Sequence, residues 1–219
     1  MAEKVNVPKY SFGEELANSI SHYLGAAFAL IVTPFLLVKA VNYDGLVWLA
    51  VVATCIYCFA LFTEYTVSAT YHALVPTKAK KVMRVLDHCF IFVLIIGTYA
   101  PLTLLAFTPH WLGVALFFIN CGAGIIGITF TAIDLKKYAK FSMVCYIAMG
   151  WLVVVAAYWL IKSLSVPALI LLLAGGVFYT VGAILYGIGH KKKYIHSVWH
   201  VFVLLGTVTH FLSIYLYVL

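Results

Sequence analysis

Seven apolar runs, each about as long as a bilayer's hydrocarbon core is thick, govern what this chain can fold into. They lie at about 16–38, 45–71, 86–107, 111–133, 141–161, 165–189 and 195–218. At about 1.5 Å per helical residue, each reaches across about 30 Å of hydrocarbon, the longer ones with tilt. Turn or charge signals separate them, among them Asn42-Tyr43-Asp44-Gly45, Pro76-Thr77-Lys78, Thr108-Pro109-His110 and Asp134-Leu135-Lys136-Lys137. Hydrophobic residues make up 65% of the sequence and charged residues 10%, where a soluble domain holds about 45–50% and about 25%. The expected fold is therefore an all-α membrane protein, a bundle of seven transmembrane helices forming one domain over residues 1–219. Glu14 and Glu15 precede the first run and no small-residue cleavage site follows it, so it is expected to persist rather than be removed as a signal peptide. No internal repeat is visible, which weakens an inverted-repeat transporter reading.

The formal charge of +7 does not point to nucleic acid, because the basic residues fall in small groups between apolar runs, as topology determinants do. With seven spans, Lys4, Lys9, Lys78, Lys80, Lys81, Arg84, Lys136, Lys137, Lys140, Lys191, Lys192 and Lys193 share one side, against Lys39 and Lys162 on the other. The positive-inside rule then expects the amino end in the cytoplasm and the carboxyl end outside. Cys55, Cys58, Cys89, Cys121 and Cys145 all lie in or at the edge of apolar runs, where cysteine behaves as a small hydrophobe. Cys55-x-x-Cys58 has no cationic neighbour to favour a thiolate, which argues against a redox or soft-metal role.

Polar and ionisable side chains inside a bilayer are costly and mark candidate sites. Here they are Glu64, Ser68 and His72 late in the second run, Asp87 and His88 early in the third, and His196 and His200 early in the seventh, with Glu15, Asn18 and His22 in the first. The topology drawn from lysines places all of them in the cytoplasmic half of the membrane. His196 and His200 stand at i, i+4, about 6 Å apart along a helix on one face, the spacing that lets two imidazoles bind one metal. Ser68 and His72 repeat it, with Glu64 a turn deeper. His72, His196 and His200 would form the three-ligand set of a catalytic zinc with an open position. Asp87 could orient or deprotonate the attacking water or hold a ligating histidine, and Ser68 could hydrogen-bond the substrate oxygen or the water. That set suits ester or amide hydrolysis, and its spacing favours metal binding over a purely structural network. His88 points about 100° away from Asp87 and is left out of the site. His210 lies about 15 Å beyond His200 along the helix and is expected to hydrogen-bond between helices. His110 and His190 read as interfacial residues, and Gly175, Gly176 and Gly182 permit close packing within the bundle or between chains.

Glu15-Leu16-Ala17-Asn18-Ser19-Ile20-Ser21-His22, Ser68-Ala69-Thr70-Tyr71-His72, Leu86-Asp87-His88 and His196-Ser197-Val198-Trp199-His200 together resemble the bacterial hemolysin III family. That family sits within the progestin and adipoQ receptor group and is similar to alkaline ceramidases. The resemblance covers essentially the whole chain. It implies a seven-helix fold with Zn2+ bound by His72, His196 and His200, Asp87 holding the water, and Ser68 close by. It also implies residence in the bacterial cell (inner) membrane and a lipid substrate entering from the membrane. Unlike the receptor relatives, this chain has almost no cytoplasmic amino-terminal domain, so no soluble protein partner is carried over.

Four functions compete on these grounds. The first is a zinc-dependent hydrolase of membrane lipid amides or esters. The second is a non-enzymatic regulator or receptor-like protein in which a structural metal locks the second, third and seventh spans. A cytolysin would need an exportable form or an amphipathic hairpin, and neither is visible. Proton or ion transport through Glu64 and Asp87 would need polar residues continuing along one face, and beyond His210 and Asn120 few are visible.

Overall fold

The computed structural model of the chain describes residues 5–188 and 192–219; Lys4, His190 and Lys191 fall outside them. Among the described residues every regular element is helical: α1 (Phe12–Val41), α2 (Val47–Ala73), α3 (Lys78–Ala106), α4 (His110–Ile133), α5 (Ala139–Gly150), a 3-10 segment (Leu152–Ala156), α6 (Ala157–Ser163), α7 (Val166–Ile188) and α8 (Ile195–Tyr217). Seven spans are long and apolar enough to cross a membrane, with α5, the 3-10 segment and α6 composing the fifth. Burial is inverted relative to a soluble fold. Leu30, Ile31, Phe35, Trp48, Phe118 and Ile125 are exposed, whereas Asn18, Glu64, His72, Asp87 and His200 are buried. Apolar side chains on the outside and ionisable ones within make lipid the solvent of this surface. The chain is a multi-pass, all-α membrane protein.

Helices α1 to α4 pack on their neighbours in sequence, α7 packs on α8, and α8 returns to α1. Small residues set the closest approaches. A side chain at Gly97 would collide with Ala60 of α2, and one at Gly25 would collide with the Tyr65 ring, so these contacts demand hydrogen at the α-carbon. Gly175 and Gly182 face His210 and Trp199 of α8, which puts these small residues to use within the bundle.

The third span departs most from the sequence expectation: it begins at Lys78 rather than 86, capped by Thr77, because its first turns are too basic for an apolar count. Two further departures show backbone chemistry at work. The first span begins at Phe12 rather than 16, because Ser11 and Glu14 form a capping box: Glu14 N–H donates to Ser11 Oγ at 3.3 Å and Ser11 N–H to Glu14 Oε2 at 2.9 Å. The polar first turn had hidden the helix from an apolar count. The fifth span, expected as one run over 141–161, breaks at Trp151. Tyr99 holds the break, donating its hydroxyl proton to Gly150 O at 3.2 Å and accepting Val153 N–H at 2.9 Å. Asn120 Nδ2 donates to Met149 O at 3.3 Å. Backbone groups freed by the break thus find partners on α3 and α4, as a lipid environment requires.

The start of α1, the end of α2 and the starts of α3 and α8 share one end of the bundle, joined by bonds among Glu14, Glu15, His72, Lys80 and Tyr194. At the other end Tyr43 OH donates to Leu105 O at 3.3 Å and Thr108 N–H to Ser163 Oγ at 3.0 Å.

Candidate metal centre

His72 lies on the last turn of α2, and His196 and His200 lie on the first two turns of α8. The residue before α8, Tyr194, takes a left-handed φ of 61° and donates its N–H to Glu14 Oε1 at 3.1 Å, so a strained turn tied to α1 fixes where α8 begins. His196 Nε2 lies 3.2 Å from His72 Nε2 and 3.1 Å from His200 Nε2. Two imidazoles at about 2.0–2.1 Å from one tetrahedral zinc are separated by about 3.3 Å. Ligand atoms of all three histidines lie within 4.8 Å of one another, the one such group of three among the described residues.

Partners on the far side of the His72 and His200 rings assign their protons. His72 Nδ1 lies 2.7 Å from Glu15 Oε2, an acceptor, so Nδ1 carries the proton and Nε2 presents a lone pair. The longer 3.4 Å approach of Asn18 Nδ2 to the same nitrogen is decided against by that shorter bond. His200 Nδ1 donates to Asn18 O at 3.2 Å, with Ser21 Oγ 3.1 Å away, leaving its Nε2 a lone pair as well. His196 Nε2 faces both, and as an N–H it could satisfy one of them. A cation accepts all three, and metal-ligating histidines characteristically donate their other ring nitrogen to a carboxylate or backbone carbonyl.

Glu15 is held in turn. Lys80 Nζ donates to Glu15 Oε1 at 2.6 Å and to Leu74 O at 2.8 Å, and lies 5.3 Å from the Tyr71 ring centre. Counted in the sequence among the topology-setting charges, Lys80 is 2% exposed and serves the site. Ser197 Oγ donates to Asn18 Oδ1 at 2.6 Å, fixing the residue that accepts from His200. Tyr10, just before α1, stacks on His196 with ring centres 5.1 Å apart, and burial drives its phenol well above the ordinary tyrosine range. None of Tyr10, Lys80 or Ser197 stood out in the sequence.

The remaining sequence candidates divide. Asp87 is buried within electrostatic reach of His72 and His196, and its Oδ2 lies 3.4 Å from His88 Nδ1. That nitrogen donates to Arg84 O at 2.9 Å, so His88 flanks Asp87 without joining the trio. Ser68 Oγ sits near Asp87, buried and without a completed hydrogen bond. His22 packs against His200 with ring centres 3.7 Å apart and the rings tilted, and neither of its ring nitrogens has a partner among the described residues. His210 Nε2 donates to Leu172 O of α7 at 3.1 Å, the interhelical role expected, and His110 is exposed at the start of α4. Polar groups do continue inward, as tyrosine hydroxyls that an apolar count conceals: Tyr65 OH donates to Thr207 Oγ1 at 2.7 Å, and Tyr179 OH lies 2.6 Å from the same oxygen.

A sequence profile of the family described as Haemolysin-III related matches residues 10–211. The chain belongs to the haemolysin-III-related family. Hemolysin-3 of Bacillus cereus is 36% identical over 219 residues, covering 100% of this chain and 98% of that one. The Hemolysin-3 homolog of Bacillus subtilis is 35% identical over 208 residues, covering 95% and 96%. The human monocyte to macrophage differentiation factor is more distant, 25% identical over 171 residues, covering 74% and 68%. In this haemolysin-III-related chain all four motifs singled out in the sequence fall inside the matched span.

A cavity of about 1170 Å3 runs between α3, α5, α7 and α8; its wall reaches His22, which packs against His200. Leu94, Ile95, Val203, Trp151 and Trp199 line it, Lys81, Arg84 and Lys140 stand at the end shared with the site, and His22 and Glu64 are in its wall.

Proposed function

We propose that this haemolysin-III-related protein is a zinc-dependent hydrolase of membrane lipid amides or esters, acting at the cytoplasmic side of the bacterial cell membrane. The observation that carries the reading is the convergence of two imidazole lone pairs, on His72 and His200, upon the Nε2 of His196. Zinc bound there would supply Lewis acidity toward a carbonyl and a lowered pKa for water.

The chain's own residues fit the rest. Glu15, backed by Lys80, and the Asn18 carbonyl hold His72 and His200 in the tautomers that face the centre. The Asp87 carboxylate lies 3.4 Å from His88 Nδ1, whose proton is spent on Arg84 O, so it can accept a proton from the attacking water. Ser68 Oγ, one turn from His72, can donate to the substrate oxygen. The apolar cavity, whose wall reaches His22 against His200, is the space in which the lipid would lie, in keeping with sites that combine apolar walls with a few placed polar groups. The cytoplasmic side follows from Lys78, Lys81, Arg84, Lys136, Lys137 and Lys140, which share the end of the bundle that carries the trio.

Elemental analysis of detergent-purified wild type, His196→Ala and His200→Ala, each incubated with ceramides and acyl lipids, tests this. About one zinc per chain in the wild type, as one closed trio requires, and loss of both zinc and fatty-acid release in the variants are expected. No zinc in any preparation removes the reading. A second reading, in which the metal is structural, draws on the same trio because it links α2 to α8 and, through Glu15 and Asn18, to α1; zinc without turnover selects it.

A further inference from the structure

Glu64 Oε2 and both ring nitrogens of His22 are buried and, like Ser68 Oγ, find no hydrogen-bond partner among the described residues. Glu64 is 2% exposed and His22 1%, and both belong to the wall of the 1170 Å3 cavity. They come from different helices, α2 and α1. His22 packs against His200 with ring centres 3.7 Å apart, and Glu64 stands one helical turn from Ser68 on α2, which puts each beside a residue of the proposed site. Buried polar groups almost always find partners, and orphans at the wall of a cavity point to a ligand or water that supplies them.

Their chemistry restricts the partner. A neutral imidazole has one donor and one acceptor nitrogen, and a carboxyl group in either protonation state keeps an accepting oxygen. A partner must therefore donate as well as accept. A hydroxyl or an amine does both, whereas an ester group offers acceptors alone and would leave Glu64 or His22 unpaired. The surrounding wall, Leu94, Ile95, Val203, Trp151 and Trp199, is apolar, so the rest of the partner is hydrocarbon. At about 1170 Å3 the cavity exceeds the usual range of about 300–1,000 Å3 for small-molecule pockets, enough for a long chain as well as its head.

We infer that Glu64 and His22 form a recognition site for the hydroxyl or amine of a long-chain amphiphile lying in the cavity. This deepens the lipid-hydrolase reading, on which its connection to turnover rests, by naming the head group that the substrate carries beside its scissile bond. The recognition itself is a binding property and needs no metal.

The test uses full-length protein in nanodiscs, zinc-loaded and chelator-treated in parallel. Tryptophan fluorescence, to which Trp151 and Trp199 contribute from the cavity wall, follows titration with a long-chain primary alcohol, the matching primary amine and the matching methyl ester. The alcohol and amine are expected to bind about tenfold more tightly than the ester in both metal states, the factor that one well-placed hydrogen bond supplies. Glu64→Leu is expected to erase most of that preference, and so is His22→Phe, which keeps a ring against His200. Equal affinities in the wild type, no binding of any probe, or a preference that survives both variants overturns the inference. Should Glu64→Leu fail to fold, the wild-type comparison and His22→Phe decide it. Head-group preference without hydrolysis in any preparation would remove the hydrolase reading alone; hydrolysis without the preference would remove this inference alone.

Discussion

His72 arrives at the cluster with its proton already placed, and the two residues that place it, Glu15 and Lys80, are 57 and 65 positions from their partners in sequence. Removing the acceptor by Glu15→Leu frees the His72 ring to turn and weakens its Nε2 as a ligand. Zinc affinity is expected to fall about 10–100-fold, read by competition with a chromophoric chelator. Lys80→Met leaves Glu15 as a largely buried carboxylate without its cation, which costs about 3 kcal/mol when one partner of a buried pair is lost. Combining Lys80→Met with Glu15→Leu should recover part of that loss, since the unpaired charge is gone too; a reversible denaturation cycle of the four proteins measures the coupling. Additive losses would sink the pairing. The His196–His200 pair was legible because i, i+4 spacing is a local property that any helix turns into a shared face, and His72 joined it through the span order, which puts the end of the second span and the start of the seventh on one side. The trio's supports were not legible, since nothing local tells a lysine that serves topology from one folded back over a carboxylate. Glu64 and His22 stood out as polar residues in apolar runs, while their lack of partners is a property of packing alone.

At the level of elements, the apolar runs located all seven spans because lipid imposes a length that no soluble core does. They missed the first two turns of α3, where Lys78, Lys80, Lys81 and Arg84 follow the Thr77 cap, and they failed at two more places where backbone chemistry overrules hydropathy. At the start of α1, Ser11 and Glu14 extend the helix four residues past the expected edge, and their polarity is what makes them a cap. In the fifth span the residues of the 3-10 segment, Leu152–Ala156, are as apolar as a helix requires; the break is written on α3, in the Tyr99 hydroxyl. Tyr99→Phe deletes that hydroxyl and leaves Val153 N–H and Gly150 O unpaired in a dry interior. The expected cost is about 1–3 kcal/mol for each group that stays unsatisfied, seen as a lower midpoint in denaturant titration. Should α5 and α6 instead merge into one regular helix, the loss would be small and the cavity, whose wall includes Gly150 and Trp151, would shrink.

For the whole molecule, the candidate metal centre sits where the chain closes on itself. Helices α1 to α4 follow one another in sequence and in space, while α8 must return across the bundle to meet α1. That return is held by Tyr194 on Glu14, Ser197 on Asn18, His200 on the Asn18 carbonyl and the three imidazoles. A cation at the trio adds a link between α2 and α8 that exists in the folded state only, so it stabilises closure by mass action, about 4 kcal/mol at a free concentration a thousand times its dissociation constant. Chelation should therefore raise amide exchange at residues 192–200 and over the first turns of α1, while α4, bonded to α3 and α5, keeps its protection. Hydrogen exchange with mass spectrometry on wild type, with and without chelator, reads this directly, and His196→Ala should resemble the chelated wild type whether or not zinc is added. Exchange rising evenly through all seven spans would mean the centre governs the whole bundle rather than its closure, and no change at all would mean that α8 is held by its protein contacts alone.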